Sequence, residues 1–320
     1  MGSRTGPWTP SGTAGGGDGL SGWLTTHGWD GTDPGQPLSG GQISTTIRRT
    51  RADGASVVVK QAPRASAGMF PAEAAGLAAL SAASCVRCPR VLAVTDTYLV
   101  LEDLGAARST PAEWADLGHA VAHQHLIVND RFGWATDNYL GRLPQHNPWT
   151  VDGHAFFAEQ RLLRYLPEPP AMAALTPADR GRLERVAADL PTLVPVQPAS
   201  LLHGDLWSAN IIGIPPARDP TGDPPASSAV PPGAAVIDPA CYYGWAEADL
   251  SMLFCCGGVP DLFFTAYQEI RPLAPGWEDR MPLLHLREHL SVIAHFGDTH
   301  GTVHQVRDIL DRWTPRPRPT

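Results

Sequence analysis

Leu201-Leu202-His203-Gly204-Asp205-Leu206-Trp207-Ser208-Ala209-Asn210-Ile211-Ile212 is the stretch on which the reading of this chain turns. Two apolar pairs flank a polar loop, which predicts a short strand, a loop bearing His203, Asp205 and Asn210, and a second strand. Further on, Ala235-Val236-Ile237-Asp238-Pro239 reads as another apolar strand, ending in a carboxylate. Moving a phosphoryl group needs one carboxylate to accept or orient the proton of the attacking hydroxyl. It also needs an amide oxygen and a second carboxylate to hold the magnesium that bridges the phosphates. Asp205, Asn210 and Asp238 supply that set, and glycine at 204 lets the backbone turn so that His203 can pack beneath the loop and brace it.

Upstream, the 24 basic residues comprise 23 arginines and one lysine, Lys60, which ends the β-branched run Ser56-Val57-Val58-Val59-Lys60. An arginine is a planar fork and a lysine a compact point charge, so a lone lysine marks a place where the fork does not fit. The Asp-to-Asn spacing matches the H-R-D-x-x-x-x-N loop of protein kinases, in which a strand lysine contacts the α- and β-phosphates and a helix glutamate holds it out. Lys60 and Glu73, in the helical run Pro71 to Ala83, stand in that order here. Gly40-Gly41 is expected to open a hairpin whose amides approach phosphate, although the full G-x-G-x-x-G pattern is absent. Glu102-Asp103-Leu104, after the strand Tyr98–Glu102, is expected to be the interlobe hinge, with the backbone of Glu102 and Leu104 toward adenine.

These residues resemble the kinase-like phosphotransferases, and more closely the fructosamine/ketosamine kinase family. The resemblance is carried by Met69-Phe70-x-x-Glu73-Ala74, Phe132-Gly133-Trp134, Asp137-Asn138-Tyr139-x-Gly141, Pro144-Gln145-x-Asn147-x-Trp149, Leu202 to Trp207, Asp238-Pro239-Ala240-x-Tyr242-Tyr243-Gly244 and His295-Phe296-Gly297. It runs from about Leu38 to Gly297. It implies an enzyme that uses ATP and Mg²⁺ to phosphorylate the sugar 3-hydroxyl of a ketoamine or other glycated amine, in support of deglycation. By position it makes Asp205 the catalytic base and Asn210 and Asp238 the metal ligands. It has Trp207, Tyr243 and Trp245 shape the sugar pocket, and Asp249 brace the catalytic loop. Trp245 stands where the family commonly has histidine, and Leu286-Arg287-Glu288-His289 departs from the family's aromatic and asparagine-rich helix, so substrate contacts are not carried over from that segment.

The predicted architecture is α+β and bilobal, protein-kinase-like. Residues 1–18 are expected to be a disordered tail, and residues 19–104 an N-lobe of small antiparallel sheet with one helix. Residues 105–313 form a larger, mainly helical C-lobe interrupted by a Pro-rich insertion at 214–233, and 314–320 a C-terminal tail. Within this plan Trp23 to Pro37 reads as irregular, and helices are expected from Asp152 to Leu163 and over 281–296.

Composition narrows the alternatives. The net charge of −8 leaves no basic surplus for nucleic acid or anionic membrane, and no run of apolar residues is long enough to span a bilayer. Five cysteines do not read as a disulfide framework, and a cytoplasmic setting is expected. Cys85-x-x-Cys88 lacks a second pair at ligand spacing, and the histidine pairs at i, i+4 lack a third ligand. Cys241, beside the metal strand, is the one thiol to watch. A phosphotransferase for an aminoglycoside or another hydroxylated metabolite is the neighbouring alternative. A nucleotide-binding scaffold without turnover is the alternative of another class, which loss of Lys60, Asp205, Asn210 or Asp238 would favour. Oligomeric state is not legible.

Overall fold

The alternation of side chains along one strand organises the N-lobe. The computed structural model describes residues 19–30, 34–38, 44–62, 67–105, 110–213 and 233–313. Gly40 and Gly41, the tails and nearly all of the Pro-rich insertion lie outside these. The lobe runs α1 (Gly19–Thr26), β1 (Gln36–Pro37), β2 (Thr45–Thr50), β3 (Ser56–Gln61), α2 (Met69–Ala83), β4 (Val91–Val94) and β5 (Tyr98–Glu102). Its five strands form one antiparallel sheet in the order β1-β2-β3-β5-β4. Val57 and Val59 of β3, with Tyr98 and Val100 of β5, pack against Leu20 and Leu24 of α1. The opposite face carries Leu99 and Leu101, packed on Phe70, Ala74 and Leu77 of α2.

Both faces are therefore covered, which is why the β3 sequence is a continuous apolar run rather than an alternating one. The period of two then places Lys60, opposite Leu99 in the ladder, on the α2 face. The expectation of irregular chain from Trp23 to Pro37 is corrected at its start. Residues up to Thr26 are helical because Leu20 and Leu24, one turn apart, have a sheet face to bury against.

The C-lobe begins with α3 (Pro111–His125), β6 (Val128–Asn129), β7 (Asn138–Leu140) and β8 (Leu143–Gln145), followed by α4 (Gly153–Phe157), α5 (Pro169–Ala174) and α6 (Pro177–Leu193). Next come β9 (Ala199–Leu202), β10 (Ile211–Gly213), β11 (Ala234–Val236) and β12 (Tyr242–Gly244). The chain closes with α7 (Ala246–Cys256), α8 (Asp261–Ile270), α9 (Trp277–Leu284), α10 (Leu286–Phe296) and α11 (Thr302–Trp313).

Thr110 caps α3 in a capping box with Glu113, as Thr110-Pro111-Ala112-Glu113 predicts. Gly118 lets α3 and α8 cross closely, since a Cβ there would stand 2.4 Å from the Phe263 carbonyl oxygen. Two sequence expectations shift. The helix from Asp152 is α-helical only to Phe157, widens into a π turn over Ala158–Leu162 and ends in a 3-10 turn. The helix expected over 281–296 is two, α9 and α10, broken at His285. Among the described residues no helix is long and apolar enough to cross a membrane.

Two short ladders position the site. In one, β9 pairs with β12, with Leu202 opposite Tyr242; in the other, β10 pairs with β11, with Ile211 opposite Val236. The loop 203–210 joins the first strands of the two ladders and the loop 237–241 joins the second strands. The two polar loops are thereby brought side by side.

Candidate active site

The loop 203–210 is held from beneath by one buried carboxylate. Asp249, near the start of α7, accepts hydrogen bonds from the backbone amides of His203 (2.7 Å) and Gly204 (2.9 Å). His125 of α3 lies 3.3 Å from the same carboxylate and contacts the Tyr267 hydroxyl through Nδ1. Burial opposes charge on Asp249, but the His125 contact, the nearby His203 ring and the Gly204 amide hold it below the usual carboxylate range. Burial also keeps His203 below its ordinary value. The Asp205 amide donates to His203 Nδ1 (3.2 Å), so the ring proton sits on Nε2, which donates to the Ile237 carbonyl (3.0 Å). His203 thus ties one loop to the other. Gly204 has φ +83°, and a Cβ there would fall 2.1 Å from the Ala240 carbonyl oxygen, so the close approach of the loops requires glycine.

Above this base, Asn210 Nδ2 donates to the Asp205 carbonyl oxygen (2.8 Å) and to its carboxylate (3.1 Å). That arrangement leaves the amide oxygen of Asn210 for a hard cation. Lys60 Nζ lies 2.8 Å from each carboxylate oxygen of Glu73 and 3.1 Å from Asp238 Oδ1. Burial works against charge on Lys60, yet the two carboxylates hold its ammonium above the ordinary value. Helix α2 reaches this position because Gly76 rests on Pro239 and Cys241, 3.2 and 3.3 Å from where a Cβ would be. Burial raises Asp205 to about 7, and the charge of Glu288 adds to it.

Two cavities open on these residues. One, of about 270 Å³, is walled by apolar side chains of Val58, Leu101, Leu104, Ala209, Ile212 and Ile237, with Glu102 at its rim. The other, of about 250 Å³, contains Asp205, Trp207, Glu73, Asn138, Tyr139 and Phe70. Both reach Lys60, Asn210 and Asp238. The Glu102 carboxylate itself turns to Arg90 (3.2 Å) and Arg87 (3.6 Å). An oxygen-only pair, the Asn210 amide and the Asp238 carboxylate, suits Mg²⁺ better than a soft metal. Among the described residues no group of three or more His, Cys, Asp or Glu is gathered to hold a metal on its own.

Two expected substrate residues are not brought to the site. Trp245 is 2 % exposed and stacks on Phe157 at 5.0 Å, with His154 edge-on at 5.1 Å, so it is a core side chain. Tyr243 packs against Trp134 (5.4 Å) and Trp149 (6.2 Å) and lines neither cavity. Because β12 alternates, Tyr242 is fully enclosed in the core, while Tyr243 is half-buried and packs on its edge. Trp207 is the one of the three that stands in the second cavity, 38 % exposed.

Conversely, sequence reasoning missed Asn138 and Tyr139 as cavity residues, although the turn glycine Gly141, with φ +61°, marks their hairpin. It also missed Glu288. Nothing in the local pattern shows that the break at His285 turns the start of α10 toward Asp205.

A small sheet over a helical lobe, with a buried lysine–glutamate pair facing an Asp–Asn loop and a second carboxylate, defines an ATP-dependent phosphotransferase of the protein-kinase-like fold. A model of the fructosamine kinase family matches residues 28–314, and the chain belongs to that family. A Synechocystis protein provisionally named ketoamine kinase is 37 % identical over 72 % of this chain and 74 % of its own length. The chloroplastic protein-ribulosamine 3-kinase of Arabidopsis thaliana is 31 % identical over 81 % of this chain and 76 % of its own. A crystal structure from Thermobifida fusca, provisionally named fructosamine-3-kinase, superposes with a TM-score of 0.71 at 33 % identity, covering 86 % of this chain and 92 % of that one.

Proposed function

We propose that the chain transfers the γ-phosphoryl group of ATP to the sugar 3-hydroxyl of a ketoamine, with Asp205 as the base. The observation that supports this reading best is that the apolar cavity and the acceptor-side cavity meet at Lys60, Asn210 and Asp238. The adenine enters between the apolar walls, and Lys60, held out by Glu73, takes the phosphates. The acceptor hydroxyl lies against Asp205 in the second cavity. Its proton passes to the Asp205 carboxylate as the new O–P bond forms and the bond to the β-phosphate oxygen breaks, releasing ADP.

Asn210 and Asp238 would hold Mg²⁺, which when bound neutralises charge developing on the phosphates. Trp207 offers a ring face to the sugar. The carboxylates of Glu73, Asp205 and Asp238 outnumber Lys60 around the cavity, which favours the protonated amine of a ketoamine over a neutral sugar. Loss of the phosphorylated sugar from the product would return the free amine, so the proposed role is deglycation.

The test is ADP release with MgATP on fructosamine and ribulosamine derivatives of lysine, an aminoglycoside and a blank, with Asp205→Asn alongside. Turnover on a ketoamine that disappears in Asp205→Asn, with nucleotide binding kept, is the expected result. Turnover on the aminoglycoside alone, or an active Asp205→Asn, overturns it.

A further inference from the structure

Asp238 carries a left-handed backbone, φ +58°, at a non-glycine position. Aspartate tolerates that conformation better than most side chains, yet it departs from ordinary backbone and is held where the flanking chain is pinned. The catalytic loop supplies part of the pinning. Ile237 N donates to the Asn210 carbonyl (3.0 Å), Ile237 O accepts from His203, and Ala240 N donates to the His203 carbonyl (2.9 Å). The carbonyls of Ala240 and Cys241 are held from elsewhere. Gln145 Nε2 donates to Ala240 O (3.1 Å), and Asn138 Nδ2 donates to Cys241 O (2.7 Å).

These two amides belong to a buried chain of side chains with no role assigned so far. Gln145, fully buried, also donates to Asn138 Oδ1 (2.8 Å) and accepts from Arg287 Nη2 (2.7 Å). Asn147 Nδ2 donates to Asn138 Oδ1 (3.1 Å), and its own oxygen accepts from Arg161 Nη2 (2.6 Å). Every hydrogen-bonding atom of the Gln145 and Asn138 side-chain amides is thus committed except one N–H on Asn138. Such a network fixes orientation more sharply than apolar packing, because each amide has one satisfied direction. Asn138 also sits in the wall of the acceptor-side cavity, so the same pair touches both that wall and the segment that follows Asp238.

We propose that Gln145, acting with Asn138, is a positioning residue for the metal-binding carboxylate. The amide pair clamps Ala240 and Cys241, keeps Asp238 in its left-handed conformation, and so fixes it relative to Asn210 and to the acceptor wall. The proposal rests on the kinase reading only in taking Asp238 and Asn210 as Mg²⁺ ligands, and it is independent of which acceptor is used. Groups that orient a metal ligand from behind typically change metal affinity or activity by about 10–100-fold when removed.

The experiment is calorimetric titration of the full chain with the non-hydrolysable analogue AMP-PNP across a Mg²⁺ series, which needs no acceptor. Gln145→Met removes both donors and the acceptor; Gln145→Glu keeps the contact with Arg287 but removes both donors, and serves if the methionine variant fails to fold. The folded variant is expected to need about tenfold more Mg²⁺ for half-maximal binding, with metal-free nucleotide affinity unchanged. Asp179→Asn, which loosens the remote α6–α11 contact, is expected to lower the melting temperature without moving the Mg²⁺ midpoint. A Mg²⁺ midpoint within twofold of wild type in a folded Gln145 variant would overturn the proposal. So would an equal shift in Asp179→Asn, because the effect would then be general softening.

Discussion

Replacing Lys60 by arginine keeps the charge and changes only its shape. The Lys60 ammonium has three N–H groups and meets three carboxylate oxygens at 2.8, 2.8 and 3.1 Å, from two residues on different elements. The residue is 7 % exposed, and both cavities open on it. A guanidinium is longer and directs its donors in one plane. It can pair with Glu73, but it then displaces Asp238 and sets the charge beyond the place where phosphates would meet it.

Losing one preorganised contact to the transferring group is worth about 3 kcal/mol, or about 10²-fold in kcat. Lys60→Met removes the charge itself. Leaving the largely buried Glu73 without its cation, beside a part-exposed Asp238, is expected to cost about 3 kcal/mol at pH 8. The loss is smaller at pH 5, because burial already raises the Glu73 carboxyl and protonation relieves the repulsion as pH falls. The assay is ADP release under saturating MgATP and ketoamine, with urea denaturation at both pH values. A kcat for Lys60→Arg within twofold of wild type would refute the argument, as would a Lys60→Met penalty that does not shrink in acid.

Two further outcomes follow from other parts of the structure. Trp245→Ala is expected to destabilise the chain by about 3–5 kcal/mol in urea denaturation while leaving the acceptor KM unchanged, because the ring is enclosed by Phe157 and His154; a raised KM at unchanged stability would restore Trp245 to the pocket. Asp179 closes the capping box of α6 and accepts hydrogen bonds from Arg307 of α11, which hold it down to about 2. Its folded value is depressed, so its stabilisation is full above the ordinary value of 3.8 and is lost as pH falls toward about 2. Asp179→Asn should therefore cost about 2 kcal/mol at pH 7 and converge on wild type between these values; a difference that persists at pH 2 would contradict the sign.

The sequence by itself determined the chemistry-bearing set. Asp205 and Asn210 lie within one loop, and short-range spacing alone places them together; Asp238 follows closely on a strand whose apolar run is visible locally. Lys60 stood out because composition isolates it, and Glu73 because it follows early in the next helix. These are properties of contiguous segments, in which backbone geometry fixes neighbours. The N-lobe strands and the capped start of α3 were legible for the same reason.

What needed the tertiary structure were the relations between segments. Helix α1 exists because the second face of the sheet needs covering, which no window around Trp23 reveals. Trp245 and Tyr243 look alike as aromatic residues after the metal strand, but tertiary packing encloses one against Phe157 and His154 and sets the other against Trp134 and Trp149, outside both cavities. The break at His285 starts α10 anew, and the charge of Glu288 in its first turn reaches Asp205, a relation between segments far apart in sequence. The amide chain from Arg161 to Arg287 joins residues more than 100 positions apart, and only long-range packing could align its donors with the carbonyls behind Asp238.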